Sequence, residues 1–424
     1  MVVRLKLAVL FSSTLIVAYG LIGGLMDKVS AGDDTYRDLS IFTSVLDKVR
    51  DDYVEAPDMD KALKGALHGM MEALDPYSSF VDAGTYQALQ SKVDGAGVGV
   101  TVSKRYGYAY VVSVTKGSPA EVGGLRSGDL IESIDGESSA LMSLWEAQRR
   151  LSGAEGTQVE LRVLRSRTTR PNELSLTRKV LEPLEVQARI VENDVGVLVI
   201  PHFRAGVSDL VRSKLKMLSS REIAGLVVDL RGSAEGELEE AVSVADQFLQ
   251  KDAVVLTVRR NGDDVQSFVS SDEPILENFP MVVLVDGGTS GVGEVLAAAL
   301  NDNQVAELVG QRTNGLGSTQ EKFQLEDGSV LFVSTRMFYR PTEEAIQGED
   351  IRRSGLKPRV VSPDLDFVTN FYMENTPEEV ERELSPDFYR RLDEAIDVEQ
   401  LQDGLERLKQ IMGGAEQLPK EKAA

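Results

Sequence analysis

Apolar positions divide this chain into blocks of different period. Residues 7–26 carry no charge, a run of twenty, which is long enough to cross a bilayer. From 34 to 89 the apolar residues recur at helical spacing, with Leu39, Phe42, Val45, Leu46 and Val49 in one stripe and a second stripe over 62–74. Between 93 and 178 the pattern changes to short apolar runs separated by glycine turns, with a helix predicted over 143–151. From 185 onward, strands and helices alternate. Strands are predicted over 195–203, 223–230, 253–259, 281–285, 305–310 and 329–339, and helices over 208–218, 237–249 and 293–300. This alternation predicts an α/β layered core with a largely parallel sheet. In the tail, Thr376-Pro377-Glu378-Glu379 is a capping box and Ser385-Pro386 starts a further helix. Leu401, Leu405, Leu408 and Met412 then form an amphipathic stripe at 4-3-4 spacing. That stripe either packs on its own domain or forms a homodimer contact. Residues 415–424 are predicted to be disordered.

Composition narrows the classes. The chain has 424 residues, enough for two or three domains. Its 68 acidic and 46 basic residues give a net charge of −22, which repels nucleic acid and anionic lipid. It has no cysteine, so disulfides and thiolate metal sites are excluded. No group of His, Asp and Glu has ligand spacing, and neither a metal nor another cofactor is expected. Arg4 and Lys6 precede the uncharged run, which places the short N-terminus in the cytoplasm and the bulk of the chain outside. The segment reads as a retained anchor. A cleaved signal peptide is the alternative, because Val29-Ser30-Ala31 would serve as a cleavage site.

Two groups of motifs carry chemistry. The first is Gly95-Ala96-Gly97-Val98-Gly99-Val100, followed by Gly117-Ser118-Pro119-Ala120 and a hairpin from Gly128 to Gly136 that contains Asp129-Leu130-Ile131 and Ile134-Asp135. This order of glycine loop, strand, S-P-A helix and G-D-x-I-x-x-I-D-G hairpin resembles a PDZ domain. The resemblance implies that Gly97, Val98, Gly99 and Val100 present backbone N–H groups to a peptide's terminal carboxylate, with the following strand edge pairing to the peptide. The second group is 281–320, where the strand ends in Asp286-Gly287-Gly288 and a helix follows. Its layout resembles the C-terminal processing peptidases of family S41, membrane-anchored serine proteases with an embedded PDZ domain. Leu74-Asp75-Pro76-Tyr77-Ser78-Ser79-Phe80 also matches that family, where it closes an N-terminal helical cap. By its residues alone it is a helix stop and turn. Ile346-Gln347-Gly348 with Gly355-Leu356-Lys357-Pro358 echoes a further family motif, with an insertion between the glycines. The resemblance covers about 1–363 and implies a crotonase-like layered core.

It also places the catalytic positions. The family carries N-G-G-S-A-S-A-S-E on the turn and T-F-G-K-G-S-V-Q on the partner loop. Anchoring on Glu294 puts the nucleophile position at Gly291. Anchoring on Thr313, Gly315, Gly317 and the retained Gln320 puts the base position at Leu316. A Ser-Lys dyad needs a hydroxyl to attack and a desolvated amine to take its proton, and neither residue can supply these. At 229–236 the family's glycine-rich turn gives part of an oxyanion hole. Glu235 replaces a glycine there, and its carboxylate would oppose a developing oxyanion unless it points into solvent. Ser290 is the candidate displaced nucleophile, with Thr289 and Ser318 nearby. The nearest candidate base, Lys322, lies about 20 Å along an extended strand from Leu316. His68 and His202 are the only histidines and no motif places either beside a serine. Asn314 stands where the family has Phe, removing apolar cover from the base position.

The domain plan that follows is an anchor or signal segment over 1–31, a helical cap over 32–90, a PDZ domain over 91–182, a peptidase-like core over 183–363 and a helical tail over 364–424. The expected protein is a single-pass, inner-membrane, periplasmic pseudoprotease. It is expected to bind peptide or protein C-termini as an adaptor or regulator, with an active paralogue as a possible partner. Two alternatives remain open: a serine endopeptidase using Ser290, and an oligomeric assembly protein.

Overall fold

The computed structural model describes residues 33–90, 95–165, 171–191, 194–261, 264–348, 354–362 and 386–416. The predicted membrane segment over 7–26 and the capping box at 376–379 lie outside the described residues. No helix among the described residues is long and apolar enough to cross a membrane. The chain separates into two compact units, 1–67 and 68–424. In the first, helix Asp33–Asp52 carries solvent-exposed internal ion pairs, Lys48 with Asp52 and Arg50 with Asp47.

In the second unit, the core is a six-stranded sheet. Its order is Gln187–Val191, Val195–Val199, Gly225–Asp229, Met281–Val285, Glu307–Gly310 and Val360–Val361. The first pair is antiparallel and every later pair is parallel. These strands are continuous apolar runs because both faces of the sheet are covered. On one face Leu226, Val228, Met281, Val283, Val285 and Leu308 pack under helices Val207–Ser219, Leu238–Ala245 and Val292–Asp302. On the other, Val227, Val282, Leu284 and Val309 pack under helix Pro386–Glu416, through Leu401, Leu405, Leu408 and Met412. The alternation of strand side chains between faces assigns each residue to one layer.

The tail helix is therefore part of the core, and its amphipathic stripe packs on its own sheet, with Leu408 buried and Leu401, Leu405 and Met412 partly buried. Arg407 fixes its outer side by a paired contact with Glu307 at 2.7 and 3.0 Å. The run predicted as a strand over 253–259 forms Val254–Arg260, but in a second sheet, where it pairs antiparallel with Val265–Val269 and Val330–Tyr339. Period alone could not distinguish the two sheets.

The PDZ-like region is an antiparallel sheet in the order Val100–Arg105, Tyr108–Val114, Leu130–Ile134, Gln158–Leu164, Asn172–Thr177. Helix Leu144–Leu151 lies alongside its free edge strand. Ser143 caps this helix through the Glu146 amide at 2.9 Å. Ala96–Gly97 pairs with Ser152–Gly153 on one side and with Lys179–Val180 on the other, joining the start and end of the domain. Trp145, on the first turn of the helix, stacks on Phe332 of the second sheet at 5.7 Å and on Tyr86 of helix Ala83–Leu89 at 5.1 Å. These contacts seat the PDZ-like region on the core.

Leu408 is fully buried. Leu408→Ala should therefore lower the unfolding free energy by about 2–5 kcal/mol in urea denaturation. A loss below about 0.5 kcal/mol would be that of a surface tail and would contradict the assignment of this helix to the core.

Candidate functional site

Three adjacent parallel strands deliver three loops to one edge of the sheet. Gly225–Asp229 leads into 230–236, Met281–Val285 into 286–291, and Glu307–Gly310 into 311–317. The carboxyl ends of parallel strands are where α/β proteins assemble their sites.

The middle turn is organised by Asp286, whose Oδ1 accepts from the amides of Gly232, Gly288 and Thr289 at 2.9–3.0 Å. Burial pushes this carboxyl above its ordinary value, with Asp229 adding to the rise, while the Gly232 amide, Arg231 and the Thr289 hydroxyl oppose it. Thr289 donates to the Leu230 carbonyl at 2.8 Å and holds the first two loops together. Arg231 grips Asp229 with two nitrogens and reaches Asp397 and Gln400 on the tail helix with a third. The strand end and the C-terminal helix are thus joined directly behind the site.

Gly291 ends the turn at φ +56°, ψ −115°, a conformation nearly closed to side-chain-bearing residues. A Cβ built there would stand 3.6 Å from Leu316 Cδ2 and 3.9 Å from the Ala234 carbonyl oxygen. The structure therefore brings Gly291, Leu316 and the 230–236 loop together, and leaves ordinary van der Waals room for a side chain at 291. Gly293 is different, since a Cβ there would lie 2.4 Å from the Ser233 carbonyl oxygen. The helix can approach the first loop only with glycine at that position.

Glu294 holds the third loop. It is fully buried, and its carboxylate accepts from the Gly291 amide at 3.0 Å, the Gly315 amide at 2.7 Å, the Leu316 amide at 2.9 Å and the Thr313 hydroxyl. Desolvation pushes its pKa up to about 7, and the four donors moderate that rise. In the sequence this residue served only to align the turn. Its one visible signal was a lone acid in the apolar stretch from Val292 to Leu300.

The hydroxyls near the turn have other partners. Ser290 is buried, and its Oγ accepts from Asn314 Nδ2 at 3.0 Å. Asn314 also donates its amide to the Thr289 carbonyl at 3.0 Å, so the residue in the family's Phe position laces the loop to the turn. Ser318 is held by Gln320, whose Nε2 donates to Ser318 Oγ and Ser334 Oγ, both at 3.1 Å. Lys322 donates to Tyr86 Oη at 3.0 Å in an exposed pair. His68 lies edge-on to Phe80, and His202 Nδ1 accepts from the Arg204 amide at 3.3 Å. Desolvation lowers the pKa of both imidazoles.

Glu235 takes the solvent-facing alternative. Its carboxylate is turned to solvent, half exposed, and pairs with Arg204 at 2.7 Å. Its backbone carbonyl accepts from the Phe203 amide at 2.7 Å, which fixes the loop and directs the side chain outward. The like-charge objection to an oxyanion at this turn does not hold.

At the PDZ-like groove, strand Val100–Arg105 pairs only with Tyr108–Val114 and leaves its other edge beside helix Leu144–Leu151. Among the described residues, no backbone carbonyl accepts from the amides of Val98 or Gly99. The carbonyls of the same two residues are taken by Ala120 and Thr115, at 2.9 and 2.8 Å. The loop is anchored through these acceptors, while the amides of Val98 and Gly99 have no backbone partner among the described residues.

Comparison with known proteins agrees with this architecture. A family model described as peptidase family S41 matches residues 194–361, and one described as a PDZ domain matches 110–165. The chain is 31% identical over 334 residues to the carboxy-terminal-processing protease of Bartonella bacilliformis, covering 77% of this chain and 76% of that protein. It is 32% identical over 320 residues to the carboxyl-terminal-processing protease of Synechocystis sp., covering 73% of each. A solved photosystem II D1 C-terminal processing protease superposes with a TM-score of 0.63 at 26% identity, over 76% of this chain and 89% of that one. With this core, an embedded PDZ domain and relatives that are carboxy-terminal processing proteases, the chain belongs to peptidase family S41.

Proposed function

We propose that this chain is a non-hydrolytic member of the family that binds peptide or protein C-termini through its PDZ domain, as an adaptor or regulator. The observation that carries the reading is the meeting of positions 291 and 316. A side chain at Gly291 would touch Leu316 at 3.6 Å, and at this contact the chain has a glycine and a hydrocarbon. An acyl transfer there would have neither a nucleophile nor a base. Ser290 does not replace them, because its hydroxyl is buried and bonded to an amide that cannot take its proton. The amides of Val98 and Gly99, without a backbone partner among the described residues, lie beside a strand edge that pairs on one side only, and this supports recognition of a terminal carboxylate. The uncharged run at 7–26 supports anchoring in a membrane, with the rest of the chain on its extracytoplasmic side. An active paralogue is the partner class that such a regulator would serve.

Peptides ending in an apolar residue should bind with micromolar affinity, about −8 kcal/mol, since one strand edge and one small pocket are engaged. Amidating the peptide's C-terminus should weaken binding at least about tenfold in calorimetry, because the free amides then lose their anion. Equal affinity for the acid and the amide would reject the carboxylate-loop assignment.

Combining Gly291→Ser with Leu316→Lys should produce measurable peptide cleavage that neither single variant shows. The rate should stay below that of the family's active members. Serine at φ +56° costs about 1–3 kcal/mol, and Asn314 beside the lysine offers poor desolvation. An inactive double variant, folded by circular dichroism, would mean that more than the dyad has been lost.

A further inference from the structure

Strand Val265–Val269 forms one edge of the second sheet, and among the described residues it pairs only with Val254–Arg260. Its inward bonds are fixed at both ends. The Arg260 amide donates to the Asp264 carbonyl at 3.0 Å, and the Ser270 amide donates to the Ala253 carbonyl at 2.8 Å. Backbone groups alternate in direction along a strand, so Gln266 and Phe268 bond inward as well. The irregularity in this ladder falls between Val254 and Leu256, on the partner strand, and leaves the alternation unbroken. The N–H and C=O groups of Val265, Ser267 and Val269 therefore face away from the sheet, and no other described backbone group bonds to them. Val265 and Val269 are 53% and 49% exposed. An open edge is a template for another strand, and proteins ordinarily blunt it with a lysine or a proline on the strand itself. Val265-Gln266-Ser267-Phe268-Val269 has neither.

The charges around this edge select its occupant. Asp264 precedes the strand, and Asp272 and Glu273 follow it; all three are exposed and unpaired with any cation among the described residues. Asp246 adds a carboxylate at the second end, where it accepts from Ser270, Ser271 and Asp272. Asp252 donates its amide to the Ser270 carbonyl there, which leaves Lys251 outnumbered. Arg259 and Arg260 on the neighbouring strand are taken by Glu343 and Glu321. A second copy is a poor fit. Two such edges paired antiparallel about Ser267 would bring Asp264 of each copy near Asp272 and Glu273 of the other, and like charges across a strand pair are destabilising.

We infer that the Val265–Val269 edge is a second peptide-binding surface, which takes an extended segment of another protein with β-branched residues along it and lysine or arginine at its ends. Backbone pairing to Val265, Ser267 and Val269 supplies the attachment, and the flanking carboxylates select the basic ends. The surface uses none of the residues of the PDZ groove and does not depend on recognition of a terminal carboxylate.

Titration and amide hydrogen exchange on the full chain test the proposal. The probe is an acetylated, C-terminally amidated peptide of alternating valine and threonine with a lysine at each end; the amide cap removes the anion that the PDZ loop would bind. With this peptide about tenfold above its dissociation constant, the amides of Val265, Ser267 and Val269 should exchange about tenfold more slowly. Those of Val98 and Gly99 should keep their rates. The same peptide with a glutamate at each end should bind at least about tenfold more weakly at low salt, and the gap should narrow in high salt. Ser267→Pro removes an outward donor, leaves the inward bonds of Gln266 and Phe268, and should abolish binding. Absence of binding by the lysine-ended peptide at millimolar concentration, or equal binding of the two peptides, would overturn the proposal. Protection of the three amides without any peptide would overturn it too, assigning the edge to a second copy if it grows with protein concentration and to the chain itself if it does not. The wild-type comparison decides the matter even if the proline variant does not fold.

Discussion

One buried carboxylate fixes the relation between the two loops on which this site is built. Glu294 bonds the turn at Gly291 and the loop at Thr313, Gly315 and Leu316 at once. None of these contacts uses the side chain of residue 291 or 316. The placing of positions 291 and 316 therefore does not depend on their own side chains, because it is held by three backbone amides, the Thr313 hydroxyl and one acid. Asn314 adds a further tie, from the loop to Ser290.

The same economy runs through the scaffold. Three neighbouring parallel strands aim their carboxyl ends at one place, and their position is set by apolar layers on both faces. The C-terminal helix supplies one of those layers and also reaches the strand end through Arg231. The PDZ domain is seated by Trp145 between Tyr86 and Phe332. At the start of the second sheet, Ser78 accepts from the Ser334 amide and donates to Asp75. A bond from Ser334 to Gln320 then runs toward the third loop. The PDZ domain and the three-loop site thus share one support.

Much of this was legible in the sequence, for identifiable reasons. Strands buried on both faces read as apolar runs, so Met281–Val285 was predicted with the bounds it has. Glycine loops with fixed offsets marked the PDZ domain and the turn. What was not legible depended on contacts between distant segments. The motif at 74–80 read as a turn, yet it contributes strand Ser79–Val81, paired with Val330–Phe332. Whether Glu235 points into solvent was left open by its charge, because its direction is set by Phe203 and Arg204. The stripe from Leu401 to Met412 left open whether its partner was its own sheet or another chain, because amphipathic spacing does not name a partner. Glu294 was an alignment mark until its four donors were located.

The central claim is that the family framework survives here without its hydrolytic chemistry. Its most direct test is to incubate the purified full chain at high concentration with peptides bearing free C-termini, and to follow them by mass spectrometry. The account predicts that every peptide is recovered intact at all pH values where the chain stays folded. Cleavage products that form with the wild-type chain and disappear in Ser290→Ala would contradict it and establish a displaced nucleophile.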